Sequence, residues 1–159
     1  MSEAPKTCVL VLMSGDFDKA FAAMTIASSA AAMGLDTTIF FTFWGLKVIQ
    51  KGNLTGKGLF GRMVGVMNRG GIDRIGPSKF NFGGIGRWMF KKMMWDKGVV
   101  SLPNLREQCI LLGVKFLACK TSLDVMEITE EDLIPEVTAV VGAATMIAAT
   151  ENSQFQFFI

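Results

Sequence analysis

The chain has 159 residues, of which half are hydrophobic, and its mean hydropathy is +0.40. This length is enough for one domain with its own core. No stretch of about 20 apolar residues is free of charge, which argues against a membrane-spanning helix and favours a soluble oligomer. The three cysteines lack metal-ligand spacing and histidine is absent, so we expect no metal, no cofactor and no Cys-His catalytic pair.

Charge divides the chain into a basic middle and an acidic remainder. Residues 51–98 contain ten basic residues (Lys and Arg) and two acidic residues (Asp and Glu), a net charge of +8. The remainder contains six basic and twelve acidic residues, a net charge of −6. This division predicts an anionic or acidic partner, or an acidic face of a second subunit. Nucleic acid is not expected, because no recognised motif accompanies the basic residues. No signal peptide is visible, so a cytoplasmic location is expected.

The first predicted elements are a buried strand and a long helix. Residues 7–13 form a near-continuous apolar run, which is typical of a central parallel strand. Ser14 is left at the strand tip, Gly15 permits a tight turn, and Asp16 can cap the helix predicted over 18–33. We therefore place Ser14 and Gly15 among the candidate binding residues.

A second strand is predicted over 36–41, and aromatic residues follow its end. Phe43 and Trp44 should emerge beside Ser14 and a later cysteine, Cys119. We interpret them as the wall of a binding pocket, with a role in the core as the alternative.

The segment from residue 52 to residue 86 is rich in glycine, methionine and basic residues and is predicted to be irregular. It is too long for an ordinary loop. Together with a helix predicted over 87–97, it forms a basic insertion at about 52–98 in a single domain of residues 1–159. The Trp and Met residues of that helix are assigned to the core, and an apolar interface or membrane-surface contact is the less favoured alternative.

The candidate nucleophile is Cys119, at the end of a short strand predicted over 114–119. A helix that reaches about Leu112 precedes this strand, and its Cys109 is assigned to the core. In an open parallel sheet, ligands bind at the carboxyl ends of the strands. A helix N-terminus and the ammonium of Lys120 should lower the pKa of the Cys119 thiol. A buried structural cysteine is the alternative interpretation.

The residues after Lys120 are typical of a helix start. Thr121, Ser122 and Asp124 have side chains that bond free backbone N–H groups. We assign Lys120, Thr121, Ser122 and Asp124 to the binding site around Cys119.

The remaining elements continue an alternation of strand and helix. A strand is predicted over 137–141, a helix of small residues over 142–150 and a last strand over 155–159. This alternation predicts a right-handed parallel α/β sandwich.

Four parts of the sequence resemble the DsrE/DsrF-like proteins, and within them the longer, second-type DsrE sulfurtransferase branch that is often labelled a peroxiredoxin family. These parts are residues 14–20, 30–34 with 40–46, 88–94, and 113–119 with 122–126. They span nearly the full length, and FFTFWGL and CKTSLDVM are the more specific pieces. No peroxidatic threonine–cysteine motif supports the peroxiredoxin label.

The resemblance implies a flavodoxin-like three-layer sandwich with a five-stranded parallel sheet, and assembly into homo-oligomers. It also implies a persulfide-carrying cysteine, which falls on Cys119. Two positions depart from the branch's usual pattern, because Thr121 stands in place of Met and Glu127 in place of Gly. These departures bear on the choice of sulfur donor or partner.

The leading hypothesis is a sulfur carrier, or sulfurtransferase, in which Cys119 takes sulfane sulfur from a persulfide, polysulfide or thiosulfate and passes it to an acceptor thiol. A resolving thiol should come from a partner protein, or from Cys109 if the two cysteines lie close together. A non-catalytic oligomeric binding module and a thiol redox sensor are the alternatives.

Overall fold

The computed structural model describes residues 6–159, and it has a parallel five-stranded sheet with helices on both faces. The strands are β1 (Thr7–Leu12), β2 (Asp36–Phe41), β3 (Lys115–Cys119), β4 (Ala139–Val141) and β5 (Ser153–Phe158). The helices are α1 (Phe17–Ala32), α2 (Leu59–Met67), α3 (Ile85–Asp96), α4 (Leu102–Leu111), α5 (Lys120–Val125) and α6 (Ala143–Thr150). The predicted fold class is confirmed. Residues 1–5, in which no signal peptide was predicted, lie outside the described residues.

The order of the strands explains where the helices lie. The sheet runs β4-β3-β2-β1-β5, so the connections from β1 to β4 all move in one direction across it. Right-handed crossovers therefore place α1 and α4 on the same face. The connection from β4 to β5 runs back across the sheet, and α6 accordingly packs on the opposite face, against β1 and β5.

The main core lies between the sheet and the helices α1 and α4. Ala20, Ala23 and Ala27 of α1 are fully buried, and their small side chains let this helix approach its neighbours closely. On the sheet, the rings of Phe41 and Phe116 meet edge to face with their centroids 5.3 Å apart. These two rings fix which face of β2 and β3 points into the main core.

The opposite face of the sheet is covered more thinly. A small buried cluster on it consists of Val11, Phe40 and Cys119. Met146 of α6 packs against them, but no residue of this eight-residue helix is fully buried. The nucleophile candidate therefore belongs to the less protected side of the sheet.

The prediction that residues 52–86 are irregular was wrong for residues 59–67, which form the nine-residue helix α2. Gly61 and Gly65 are the two buried residues of α2. A Cβ atom on Gly65 would lie 2.1 Å from the carbonyl oxygen of Thr55, so the absence of a side chain permits this close approach. Glycine serves here for packing between segments rather than for chain flexibility.

Glu127 ties α2 to the body of the protein. Its carboxylate accepts hydrogen bonds from the backbone N–H groups of Lys57 and Gly58, the latter at 2.8 Å, and these bonds lower the pKa of Glu127. The backbone φ of Glu127 is +51°, in the left-handed region that favours glycine. The contacts of the carboxylate with the start of α2 give a physical reason for a glutamate at this unfavourable position.

The chain after β2 forms a 3₁₀ helix, Phe43–Val48. Its Gly45 lies against the end of β1, where its N–H donates to the carbonyl oxygen of Met13 at 2.9 Å. A Cβ atom on Gly45 would lie 2.1 Å from the carbonyl oxygen of Leu12. Backbone contacts this close leave no room for a side chain.

We expect Gly45→Ala to lower the free energy of unfolding by about 2 kcal/mol or more, because the backbone of β1 cannot move away from the added methyl group. Urea unfolding followed by circular dichroism measures this loss. The control is Gly142→Ala at the N-cap of α6, where an added Cβ atom meets nothing within 4 Å. It should cost at most about 1 kcal/mol. Equal losses in the two variants would contradict the packing argument.

Candidate functional site

Cys119 lies where β3 ends and α5 begins. It is the last residue of the strand and the N-cap of the helix, and it is 7% exposed. The parallel register pairs Phe41 of β2 with Ala118 of β3. Thr42 and Cys119 follow this pair, one on each chain segment, and therefore lie side by side at the edge of the sheet.

Hydrogen-bond donors around the thiol lower its pKa. Burial raises the pKa of Cys119, but hydrogen bonds from the hydroxyl and backbone N–H of Ser122, the hydroxyl of Thr42 and the backbone N–H of Thr121 outweigh it. Such bonds favour the charged form because each stabilises the thiolate. The result is a thiol with more thiolate at neutral pH than an ordinary cysteine has.

Ser122 and Thr42 form a polar pair beside the sulfur. Their hydroxyl oxygens are 2.8 Å apart, and Ser122 is 1% exposed. Sequence reasoning placed Ser122 in the site but missed Thr42. The signal for Thr42 was its place directly after a predicted strand that neighbours the strand of Cys119.

The structure places Lys120 differently from the sequence-based expectation. Its ammonium binds the carboxylate of Asp124 at 2.8 Å, one helical turn further along α5, and this ion pair raises the pKa of Lys120. The hydrogen bonds that lower the pKa of Cys119 come instead from neutral groups. Thr121 is exposed and contributes its backbone N–H rather than its side chain.

Ser14 and Gly15 lie at the end of β1, two strands from β3. The hydroxyl of Ser14 donates to the carboxylate of Asp16 at 2.8 Å. A Cβ atom on Gly15 would lie 2.5 Å from the carbonyl oxygen of Trp44, so this glycine permits close packing against the 3₁₀ helix. The two residues shape the end of β1 and are not among the groups that act on the Cys119 thiol.

Phe43 and Trp44 form part of the wall of a cavity of about 280 Å³, which we call the apolar pocket. Val125 and Met126 at the end of α5 also line it, as do residues of α2 and Glu127. Cys119 lies at the start of the same α5 whose end lines the pocket. The aromatic residues predicted for a pocket wall thus line a cavity whose far side is the unpredicted helix.

The other two thiols have a different environment. Cys8 and Cys109 belong to the main core on the opposite face of the sheet from Cys119. Burial raises the pKa of both, and it raises that of Cys109 to about 12. The Cys109 thiol donates to the carbonyl oxygen of Met24 at 3.4 Å. Within residues 6–159, no group of three or more Cys, Asp or Glu side chains is placed to hold a metal ion.

Two relatives are similar to this chain over most of their length. The uncharacterized protein YrkE of Bacillus subtilis is 39% identical over 161 residues, which cover 100% of both chains. The sulfur carrier protein DsrE2 of Allochromatium vinosum is 30% identical over 154 residues, covering 92% of this chain and 94% of the relative.

Two solved structures share the fold at low sequence identity. The ychN protein of E. coli matches with a TM-score of 0.54 at 12% identity, covering 96% of this chain and 99% of that chain. MTH1491 of Methanobacterium thermoautotrophicum, a protein of unknown function, matches with a TM-score of 0.53 at 12% identity and covers 96% of each chain. The sequence pattern of the DsrE/DsrF/DrsH-like family matches residues 4–158. The chain therefore belongs to the DsrE/DsrF/DrsH-like family.

Proposed function

We propose that this protein relays sulfane sulfur through a persulfide on Cys119. The observation that carries the proposal is a cysteine at a strand end whose pKa is lowered by hydrogen bonds from Thr42, Thr121 and Ser122. Membership of the DsrE/DsrF/DrsH-like family and the similarity to a protein described as a sulfur carrier support it. The three free thiols fit a reducing compartment, so we place this relay in the cytoplasm.

The chemistry needs two exchange steps and no net oxidation. The Cys119 thiolate attacks the outer sulfur of a donor persulfide, R–S–SH, so a new S–S bond forms on Cys119. The donor's own S–S bond breaks, and its electron pair leaves with RS⁻. An acceptor thiolate then attacks the outer sulfur of Cys119–S–SH, and Cys119 leaves again as a thiolate.

Hydrogen bonding rather than a base activates the nucleophile. A thiol needs only partial ionisation near neutral pH, and the donors from Ser122, Thr42 and Thr121 stabilise the sulfur anion both before attack and when it leaves. The apolar pocket at the other end of α5 offers a surface for the body of a donor or acceptor protein. The acceptor thiol comes from a partner, because Cys109 lies in the core on the opposite face of the sheet.

Treatment with polysulfide should add sulfur to wild-type protein at Cys119, and dithiothreitol should remove it. Intact mass spectrometry detects the gain, which should be absent from Cys119→Ser. The matched controls Cys8→Ser and Cys109→Ser should still gain sulfur, because both thiols are buried with raised pKa values.

A lack of any adduct on wild type, while Cys119 remains open to alkylation, would exclude the carrier. Sulfenic acid after peroxide treatment without a polysulfide adduct would favour the redox sensor instead. If neither the sulfur adduct nor sulfenic acid forms, the non-catalytic binding module is the remaining hypothesis.

The pH dependence of Cys119 alkylation should show a midpoint below that of an ordinary cysteine, because the hydrogen bonds stabilise the thiolate. Removing a donor in Ser122→Ala or Thr42→Val should raise this midpoint and slow alkylation severalfold at neutral pH. Iodoacetamide labelling rates measured across a pH series test both statements.

Thr121→Ala is the matched control for these two variants. It removes an exposed hydroxyl but keeps the backbone N–H that bonds Cys119. Its midpoint should equal that of wild type. A shift as large as that of Ser122→Ala would contradict the assignment of the side-chain donors.

We further propose that the protein assembles as a homo-oligomer through the outer face of α2. This helix has its apolar side outward, with exposed fractions between 51% and 82% for Leu59, Phe60, Met63, Val66 and Met67. The glycines of α2 form its close contacts with the rest of the protein. An apolar stripe of this kind needs a covering partner. The net charge of +8 in residues 51–98 and of −6 elsewhere favours a second copy as that partner.

Sedimentation of wild type at micromolar concentrations should give a species larger than a monomer. The double change Leu59→Ser/Met63→Ser should shift it toward the monomer, since it removes two exposed apolar side chains from the stripe. Leu111→Ser, which changes an equally exposed leucine on α4, is the control and should leave the assembly unchanged.

A monomeric wild type would contradict the homo-oligomer. Flotation of that monomer with anionic vesicles would then identify a membrane surface as the occupant of the stripe. No helix among residues 6–159 is long and apolar enough to cross a membrane.

A further inference from the structure

A second cavity, of about 300 Å³, lies at the carboxyl end of β1 beside Gly15 and Asp16. We call it the basic pocket. Since β2 separates β1 from β3, its strand end is about 10 Å across the sheet from that of Cys119. Four cationic residues line it: Lys47, Arg69, Arg74 and Arg87.

The positive charge of the basic pocket is only partly compensated within the described residues. None of the ion pairs among residues 6–159 includes one of these four cations. Asp16 is the one carboxylate among the residues that line the pocket. It already accepts hydrogen bonds from Ser14 at 2.8 Å and from Lys19 at 3.3 Å. An anionic ligand would therefore find several unpaired cations and little competition.

A buried donor in the lining lacks a partner. The side-chain Nδ2 of Asn68 is shielded from solvent and makes no hydrogen bond within the described residues. A buried N–H group without an acceptor destabilises a fold, and native proteins usually supply one. Lys47 is half-buried, and burial lowers its pKa, with Asp16 opposing the shift. An anionic ligand in the pocket would stabilise the charged form of Lys47.

Arg69 and Arg87 are held by bonds that use only part of their guanidinium groups. The Nε of Arg69 donates to the carbonyl oxygen of Gly52 at 2.8 Å. The Nη1 of Arg87 donates to the carbonyl oxygen of Arg74 at 2.7 Å. Each guanidinium has five N–H donors, so most of them remain for a ligand. Such planar donors match the oxygens of phosphate-like groups.

We propose that the basic pocket binds a small tetrahedral oxyanion with more than one negative charge, either phosphate or a sulfur oxyanion. Four cations around one cavity call for several acceptor oxygens, which a single carboxylate does not provide. The volume lies at the small end of the range of ligand sites, about 300–1,000 Å³. The site is independent of Cys119 and goes beyond the proposed sulfur relay.

Isothermal titration calorimetry with phosphate, sulfate and thiosulfate tests the proposal, at constant ionic strength and with acetate as the singly charged control. We expect saturable binding of at least one tetrahedral dianion and much weaker binding of acetate. Tighter binding of phosphate would identify a phosphoryl group as the ligand. Tighter binding of sulfate or thiosulfate would identify a sulfur oxyanion.

Arg74→Gln and Lys47→Gln should each weaken that binding by about tenfold or more, the usual effect of losing a charged hydrogen bond. Arg62→Gln removes an exposed charge of the same segment outside the pocket lining and should leave the affinity unchanged. Circular dichroism confirms that the variants fold. The absence of saturable binding at millimolar concentrations, or an equal loss in Arg62→Gln, would overturn the proposal, whatever the outcome of sulfur loading at Cys119.

Discussion

The register between β2 and β3 is the constraint on which the candidate site depends. Phe41 and Phe116 both face α1 and α4, and the observed register places Phe41 opposite Ala118. One residue later, Thr42 and Cys119 leave the sheet together. A slip of one residue would exchange the two faces of a strand and separate the hydroxyl from the sulfur. Core residues that take no part in the chemistry thus determine which groups meet at the edge of the sheet.

The basic segment contributes to more than one cavity. α2 lies against the rest of the protein through glycines, and the Glu127 carboxylate bonds the backbone N–H groups just before the helix, so its apolar residues reach the apolar pocket. The chain after α2 brings Arg69 and Arg74 to the basic pocket. One insertion therefore supplies apolar residues to the apolar pocket and cationic residues to the basic pocket. Its fixed position depends on hydrogen bonds and close backbone contacts rather than on a large apolar core of its own.

Sequence reasoning worked best where a periodic pattern had a single explanation. The bounds of β2 were predicted without error, and Cys119 was placed correctly at the end of a strand. It did less well where the outcome depended on distant parts of the chain. Lys120 was expected to stabilise the thiolate, but an ion pair with Asp124 lies within its reach on the same helix. Thr42 was missed because its partner Ser122 is 80 residues away in the sequence.

The sequence by itself determined the order of the strands and of the helices other than α2, the parallel sheet and the position of one cysteine at a strand end, because hydrophobic periodicity and turn residues are local signals. Tertiary structure alone decided which groups surround that cysteine and which cations share a cavity. Those groups come from segments that meet only when strands align and glycines allow close contact. Contacts of this kind depend on register and packing, which a local pattern does not encode.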